Sequence, residues 1–230
     1  MGNGRAFKDW REGRRWTQAE AGRRLGVSQG YIALLEGGKR RLSGRVARRA
    51  VAMLNLSPTA LRPADPGEVP MSPDKLAREF ATLGYPGFAY LRPGRHKNPA
   101  EVLVRALRQK NLEARLAEAL PWVLLQYPDL DHEWLLAQAR LANLSNRLGL
   151  VVDLARQVLQ KRRGQSSLSY ARLTELGERL RASRLDAEDT LCQESLSDAE
   201  RNWLRVNRPE EAKYWHLLTD WRVEHLPYTI

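Results

Sequence analysis

A single cysteine, Cys192, in 230 residues excludes an internal disulfide and any zinc site built from several thiolates. The four histidines, His96, His132, His216 and His225, are scattered, and no two stand four apart where one helix face would offer both to a metal. Glu211 and His216 are five apart and do not lie above one another on a helix. No glycine-rich phosphate loop occurs, and neither Cys192 nor any serine carries a local nucleophile–base signature. No enzymatic role, cofactor or metal is therefore expected. No apolar run approaches the ~20 residues that cross a bilayer, and no signal-type apolar core follows the first residues. A soluble, cytoplasmic protein without a membrane partner is the expectation. Also missing are a period-2 alternation long enough for a sheet and a self-similar repeat, so the expected fold class is all-α.

Acidic residues are scarce in one place. Residues 1–60 hold 4 Asp plus Glu against 13 Lys plus Arg, a net of +9, whereas the remaining residues contribute only +2. Charge concentrated in one small segment is the electrostatic footprint of a phosphate-binding domain. The plain alternative is a solvated basic surface, but the charges coincide with a motif.

That motif is residues 17–42, TQAEAGRRLGVSQGYIALLEGGKRRL. Thr17 is an N-cap with Glu20 completing a capping box, Leu25 closes the apolar side and Gly26 supplies a turn. Ser28 then caps a second helix whose inner face is Ile32 and Leu35, with Val27 at the corner. Gln29, Gly30, Tyr31, Ala33 and Leu34 are left pointing outward near that helix's start, where a major groove is read. A basic loop follows at once.

The segment resembles the Cro/CI-type helix-turn-helix family, also called the xenobiotic-response-element family, over roughly residues 4–61. The resemblance rests on Trp16-Thr17-Gln18-Ala19-Glu20, Leu25-Gly26-Val27-Ser28-Gln29, Ile32 with Leu35-Glu36, and Gly38-Lys39-Arg40. It implies a five-helix lambda-repressor-like domain that binds double-stranded DNA. Thr17, Gln18, Ser28, Gln29, Gly30, Tyr31, Leu34, Lys39, Arg40 and Arg41 form its expected binding set. Within it Gln18 would hold a phosphate, Gln29, Tyr31 and Leu34 would face base edges, and Lys39, Arg40 and Arg41 would grip the backbone. Two departures stand out. Ala21 and Gly22 replace a large apolar residue followed by Ala, which predicts a less well packed first helix, and Gly30 replaces a polar reader.

Three domains are expected: a helix-turn-helix domain over 1–61, a proline-rich linker over 62–73, and a helical dimerisation or partner-binding domain over 74–230. In the first, a helix over 5–15 would bury Phe7 and Trp10, with Trp16 on the same apolar side. A helix after Ser43 would bury Val46, Ala50, Met53 and Leu54, and a short fifth helix would start at Ser57-Pro58. Beyond the four prolines of 62–73, helices are expected at 74–83, from Asn98-Pro99 onward, and at 111–120, 121–127, 131–148, 150–162 and 168–183. Pro121, Pro128 and Gly149 would be the punctuation. Two stripes of period near 3.6 mark buried faces: Trp134, Ala137, Leu141, Leu144 and Leu148, then Leu150, Val151, Leu154 and Val158. Ser197 with Glu200 caps another helix, and Pro209 opens the last.

Three further segments invite a function. The aromatic and basic loop 85–97 suits stacking on a base or gripping a partner, against aromatics that cap the core. The acidic stretch 186–200 could dock a basic partner or the basic head, against a solvated face. Trp203, Trp215, Trp221 and Tyr228 could anchor an interface, against packing on their own core. In each case the structural reading is preferred. The expected function is a sequence-specific transcription regulator, a repressor acting as a homodimer on a palindromic operator. A companion version is an antitoxin that autoregulates its operon and neutralises a cognate toxin. The helical part bears a faint resemblance to regulators found beside nucleotidyltransferase toxins of abortive-infection type. The alternative is an adaptor that binds nucleic acid non-specifically through its head and a protein through its aromatic C-terminal part.

Overall fold

The computed structural model describes residues 3–40, 42–67, 70–163 and 167–228. They are mostly helical, with twelve α-helices and one two-residue strand pair among them, so the chain is all-α. They fall into two compact units, Met1–Arg62 and Pro63–Ile230.

The first unit holds α1 (Asn3–Gly13), α2 (Gln18–Leu25), α3 (Gln29–Glu36), α4 (Gly44–Leu54) and a 3-10 turn at Pro58–Ala60. The expected fifth helix is thus a single tight turn. Phe7, Ala21, Leu25, Ile32, Leu35, Val46, Ala50 and Val51 meet in its core. Trp16 lies beyond α1 and meets Trp10 edge-on at 5.5 Å. Met53, expected inside, is exposed, because the buried stripe of α4 runs through Val46, Ala47, Ala50 and Val51 instead. The expectation of loose packing at Ala21-Gly22 is corrected as well. Ala21 is fully buried, and a Cβ at Gly22 would come within 2.7 Å of the Val27 carbonyl oxygen. The missing side chain lets the start of α3 close onto α2.

The second unit is built around α9 (Ser145–Arg163), which packs against α7 (Ala114–Gln126), α8 (His132–Leu141), α10 (Leu168–Arg181) and the five-residue α12 (Glu210–Tyr214). Around them stand α5 (Pro73–Leu83), α6 (Pro99–Leu107) and α11 (Asp198–Asn207). Strands β1 (Asp189–Thr190) and β2 (Leu217–Leu218) pair in parallel, and two residues each is too short to leave a period in the sequence.

Four expected boundaries move. Pro121 lies inside α7, so 111–120 and 121–127 are one helix in place of two. A proline ring can be accommodated where tertiary packing holds the helix, and Ala119, Leu120, Trp122 and Val123 around it are all buried. The single helix expected over 131–148 is broken between α8 and α9, where Asn143 takes a left-handed φ of 56°. That break shifts the stripe: Leu135, Leu136 and Ala139 are buried, while Ala137 is exposed and Leu141 is 78% exposed. Gly149 interrupts nothing and lies within α9, where a Cβ would stand 2.5 Å from the Trp215 ring. The glycine is the slot that seats this fully buried tryptophan, whose indole N–H donates to Asp153 Oδ2 at 2.7 Å.

The last correction concerns 62–73, expected as a tether. Its described residues beyond Arg62 belong to the second unit. The Ala64 amide donates to Glu101 Oε2 at 3.1 Å, Arg108 Nη1 donates to the Gly67 carbonyl at 2.7 Å, and the Met71 amide donates to Gln109 Oε1 at 3.2 Å. Residues 68 and 69 lie outside the described residues.

Replacing Gly149 with alanine overfills the Trp215 slot. The expected cost is about 1–3 kcal/mol, measured as a lower urea midpoint for the second unit; an unchanged midpoint would refute the slot.

Candidate nucleic-acid interface

Two N-caps set the geometry. The Glu20 amide donates to Thr17 Oγ1 and the Tyr31 amide donates to Ser28 Oγ, each at 3.1 Å, so both helices start where their hydroxyl residues stand. Only half of the expected capping box forms at Thr17, because the Glu20 carboxylate turns to Arg24 Nη2 at 2.8 Å. A complete box forms instead at Ser197 and Glu200. Gly26 turns the chain with a left-handed φ of 67°, and a Cβ there would lie 2.8 Å from Arg49 Nη1, so a guanidinium from α4 lies across the turn.

Ile32 and Leu35 are fully buried, which rotates the opposite side of α3 outward. Gln29, Gly30, Ala33 and Leu34 are exposed there. Tyr31 is half-buried and held: its hydroxyl accepts from the Ser43 amide at 3.1 Å, and the Arg40 guanidinium stands 5.3 Å from its ring. Tyr31 is thus fixed in place as a wall of the surface. Between these side chains runs an open groove of about 690 Å³, lined by Val27, Ser28, Gly30, Tyr31, Ala33, Leu34 and Arg40.

Gln18 is not simply exposed. Its Nε2 donates to Glu36 Oε2 at 2.9 Å, which leaves the second amide hydrogen for another acceptor. Glu36 is the meeting point of the unit. Arg11 Nε and Nη2 donate to its two oxygens at 2.6 and 2.9 Å, and Arg11 Nη1 donates to the Trp16 carbonyl at 2.6 Å. Burial alone would raise the Glu36 pKa, yet the hydrogen bonds from Arg11 and Gln18 outweigh it and hold this carboxyl below its ordinary value. The same pairing raises Arg11. Nothing local in the sequence marks this pair, whose members are 25 residues apart.

Past the end of α3, the Lys39 and Arg40 amides both donate to the Leu34 carbonyl, at 2.9 and 3.1 Å, and Gly38 takes a φ of 71°. This closure presents the Lys39 and Arg40 side chains in solvent. Arg41 lies outside the described residues. Arg23, Lys39, Arg40, Arg45, Arg48 and Arg49 form no ion pair among the described residues, whereas Arg11 and Arg24 are neutralised internally. Arg23, Arg45, Arg48 and Arg49 stood outside the expected binding set; helical spacing alone leaves open whether such cations face outward or pair.

Residues 63–230 offer less. Tyr85 and Phe88 of the aromatic loop are buried in the core, leaving Tyr90 exposed beside Arg92 and Arg95. The acidic stretch is largely consumed: Asp189 binds Arg147 through both oxygens at 2.7 and 2.9 Å, Glu188 binds Arg205 at 2.7 Å, and Glu200 closes its capping box. Trp215 and Trp221 are buried, and Tyr228 meets Tyr85 edge-on at 5.4 Å. Trp203 is 56% exposed, with Val206 three residues on. Cys192 is buried, and burial pushes its thiol up to about 11. Among the described residues no cluster of three or more His, Cys, Asp or Glu could hold a metal ion, and no helix is long and apolar enough to cross a membrane.

Two capped helices about a glycine turn, with an outward-facing second helix and a cationic loop behind it, define a helix-turn-helix DNA-binding domain. Residues 4–64 match the family described as helix-turn-helix domain. The chain therefore carries the DNA-binding domain of a transcription regulator. No curated protein and no solved structure matches the chain.

The depressed Glu36 carboxyl gives the head an acid limit. A group whose pKa is lower folded than unfolded stabilises fully above its unfolded value, and that contribution is lost as pH falls through the folded value. Protection factors of the α2 and α3 amides in the full chain, exchange being measured against the intrinsic rate at each pH, should therefore be steady above the ordinary glutamate value of 4.5 and fall below it. Glu36→Gln should lower that protection at neutral pH by the equivalent of about 1–3 kcal/mol, since it leaves Arg11 only the exposed Glu12 carboxylate at 3.3 Å as an ionic partner, and should weaken the acid dependence. Exchange in the variant that matches the parent would remove Glu36 from this role.

Proposed function

We propose that the chain is a sequence-specific transcription regulator of the Cro/CI type, a repressor that binds a palindromic operator as a dimer. The observation that carries the reading is the exposed side of α3 at Gln29, Gly30, Ala33 and Leu34, flanked by cations that no carboxylate neutralises among the described residues. Gln29 is the reader of a base edge, since an amide matches the N6 and N7 pattern of adenine in the major groove. Lys39, Arg40 and Arg41 hold phosphates, joined by Arg45, Arg48 and Arg49, and Thr17, Gln18 and Ser28 supply polar groups at the two helix starts. Residues 63–230 supply the dimer or partner surface, for which exposed Trp203 and Val206 on α11 are the support. The antitoxin version draws on the same face, and co-purification with a co-encoded protein tests it. A catalytic role forms no part of this reading.

The decisive experiment is selection of duplexes from a randomised pool by the full chain, followed by footprinting. Half-sites about one helical turn apart support the dimeric regulator, while enrichment of nothing over random competitor overturns it in favour of a non-specific adaptor. Gln29→Ala should cost on the order of 1–3 kcal/mol at one base position; equal weakening on every sequence would make Gln29 a phosphate ligand. Lys39→Ala should weaken all duplexes alike and lessen the salt dependence, each phosphate contact being worth a log–log slope of about −0.9. Lys39 is the cleaner variant because Arg40 also stacks on Tyr31.

A further inference from the structure

The outer face of α3 is short of hydrogen-bonding groups. Gln29 alone carries an amide, while Gly30, Ala33 and Leu34 present hydrogen or hydrocarbon on one side of the helix. Leu34 is 42% exposed although it is large and apolar. The open groove it borders is lined as well by Tyr31, which the Ser43 amide and Arg40 hold in place. Gly30 supplies the depth. A Cβ there would meet only Ser28 Oγ, at 3.9 Å, so the space is open because the side chain is absent and not because the fold forbids one.

We infer that this groove reads the 5-methyl group of thymine, with Leu34 and Ala33 packing against the methyl while Gln29 bonds a neighbouring base and Arg40 reaches the adjacent phosphate. The inference rests on the DNA-binding reading above. A protein or lipid occupant fits less well, since Arg40 in the lining, with exposed Lys39 beside it in the chain, points to a polyanion whose interior is apolar only in small spots. In the major groove the thymine methyl is the apolar feature of the four bases, and it matches Ala and similar side chains. A half-site combining adenine and thymine follows from one amide beside a hydrocarbon floor.

The test uses the full chain and the duplex enriched from a randomised pool. Each thymine is replaced in turn by 2′-deoxyuridine, which deletes only the methyl. At one or two positions per half-site affinity should fall about fourfold, the factor that matches ~0.8 kcal/mol for one buried carbon. In Leu34→Ala the ratio of thymine to deoxyuridine affinity should fall to one whatever the overall affinity, and Gly30→Leu, whose Cβ would meet only Ser28 Oγ at 3.9 Å, should bring it to one too. Equal binding of thymine and deoxyuridine at every position would overturn the inference and leave the regulator reading intact. Failure to enrich any duplex would instead remove the regulator reading, and the groove's role with it.

Discussion

Glu36 is where three segments of the head are tied together. Its carboxylate accepts from Arg11 of α1 and Gln18 of α2 while sitting at the end of α3. A charged group this deeply placed would be costly alone, and the two nitrogens of Arg11 together with the Gln18 amide are what make it tolerable. The consequence is orientational. With Ile32 and Leu35 drawn into the core and Glu36 clamped beyond them, α3 has one rotation about its axis, and that rotation exposes Gln29, Gly30, Ala33 and Leu34 together. A recognition surface must be held to a fraction of an ångström to discriminate bases. Hydrophobic burial alone is non-directional and would leave the rotation softer.

The two units treat charge differently. In the head, cations outnumber carboxylates and those on α4 and after α3 stay unpaired among the described residues. In residues 63–230, arginines are used as internal fasteners: Arg147 joins Asp189 and the Leu107 and Gln109 carbonyls, and Arg208 reaches the Leu217 carbonyl. The same residue type therefore serves phosphate attraction in one unit and packing in the other. Composition alone does not separate these uses, since an arginine's role depends on whether a carboxylate or carbonyl lies within reach.

Local chemistry was legible in the sequence where the signal spans four residues or fewer. Thr17, Ser28, Ser43, Asn98 and Ser197 cap the helices expected after them through their side chains, and Gly26 and Gly84 end helices in the left-handed region. Where a residue's role came from a distant partner, the pattern misled. Gly149 is a seat for Trp215, Gly22 a contact point for the Val27 carbonyl, and Pro121 a helix interior held by its neighbours. At Asn143 a single left-handed residue split what periodicity joined.

The order of residues by itself determined the helix-turn-helix, its turn and its outward-facing start, because caps, glycine turns and a two-residue buried face act over one or two helical turns. It also determined the excess of positive charge in the head, which needs no fold to be counted. Only the tertiary structure decided that Gln18 serves Glu36, that Tyr31 is a fixed wall, that the proline-rich segment lies along α6, and that Asp189 and Glu188 of the acidic stretch are spent on Arg147 and Arg205. Each of those depends on groups brought together from residues 12 to 42 positions apart, and no local rule of helix or turn chemistry carries that information.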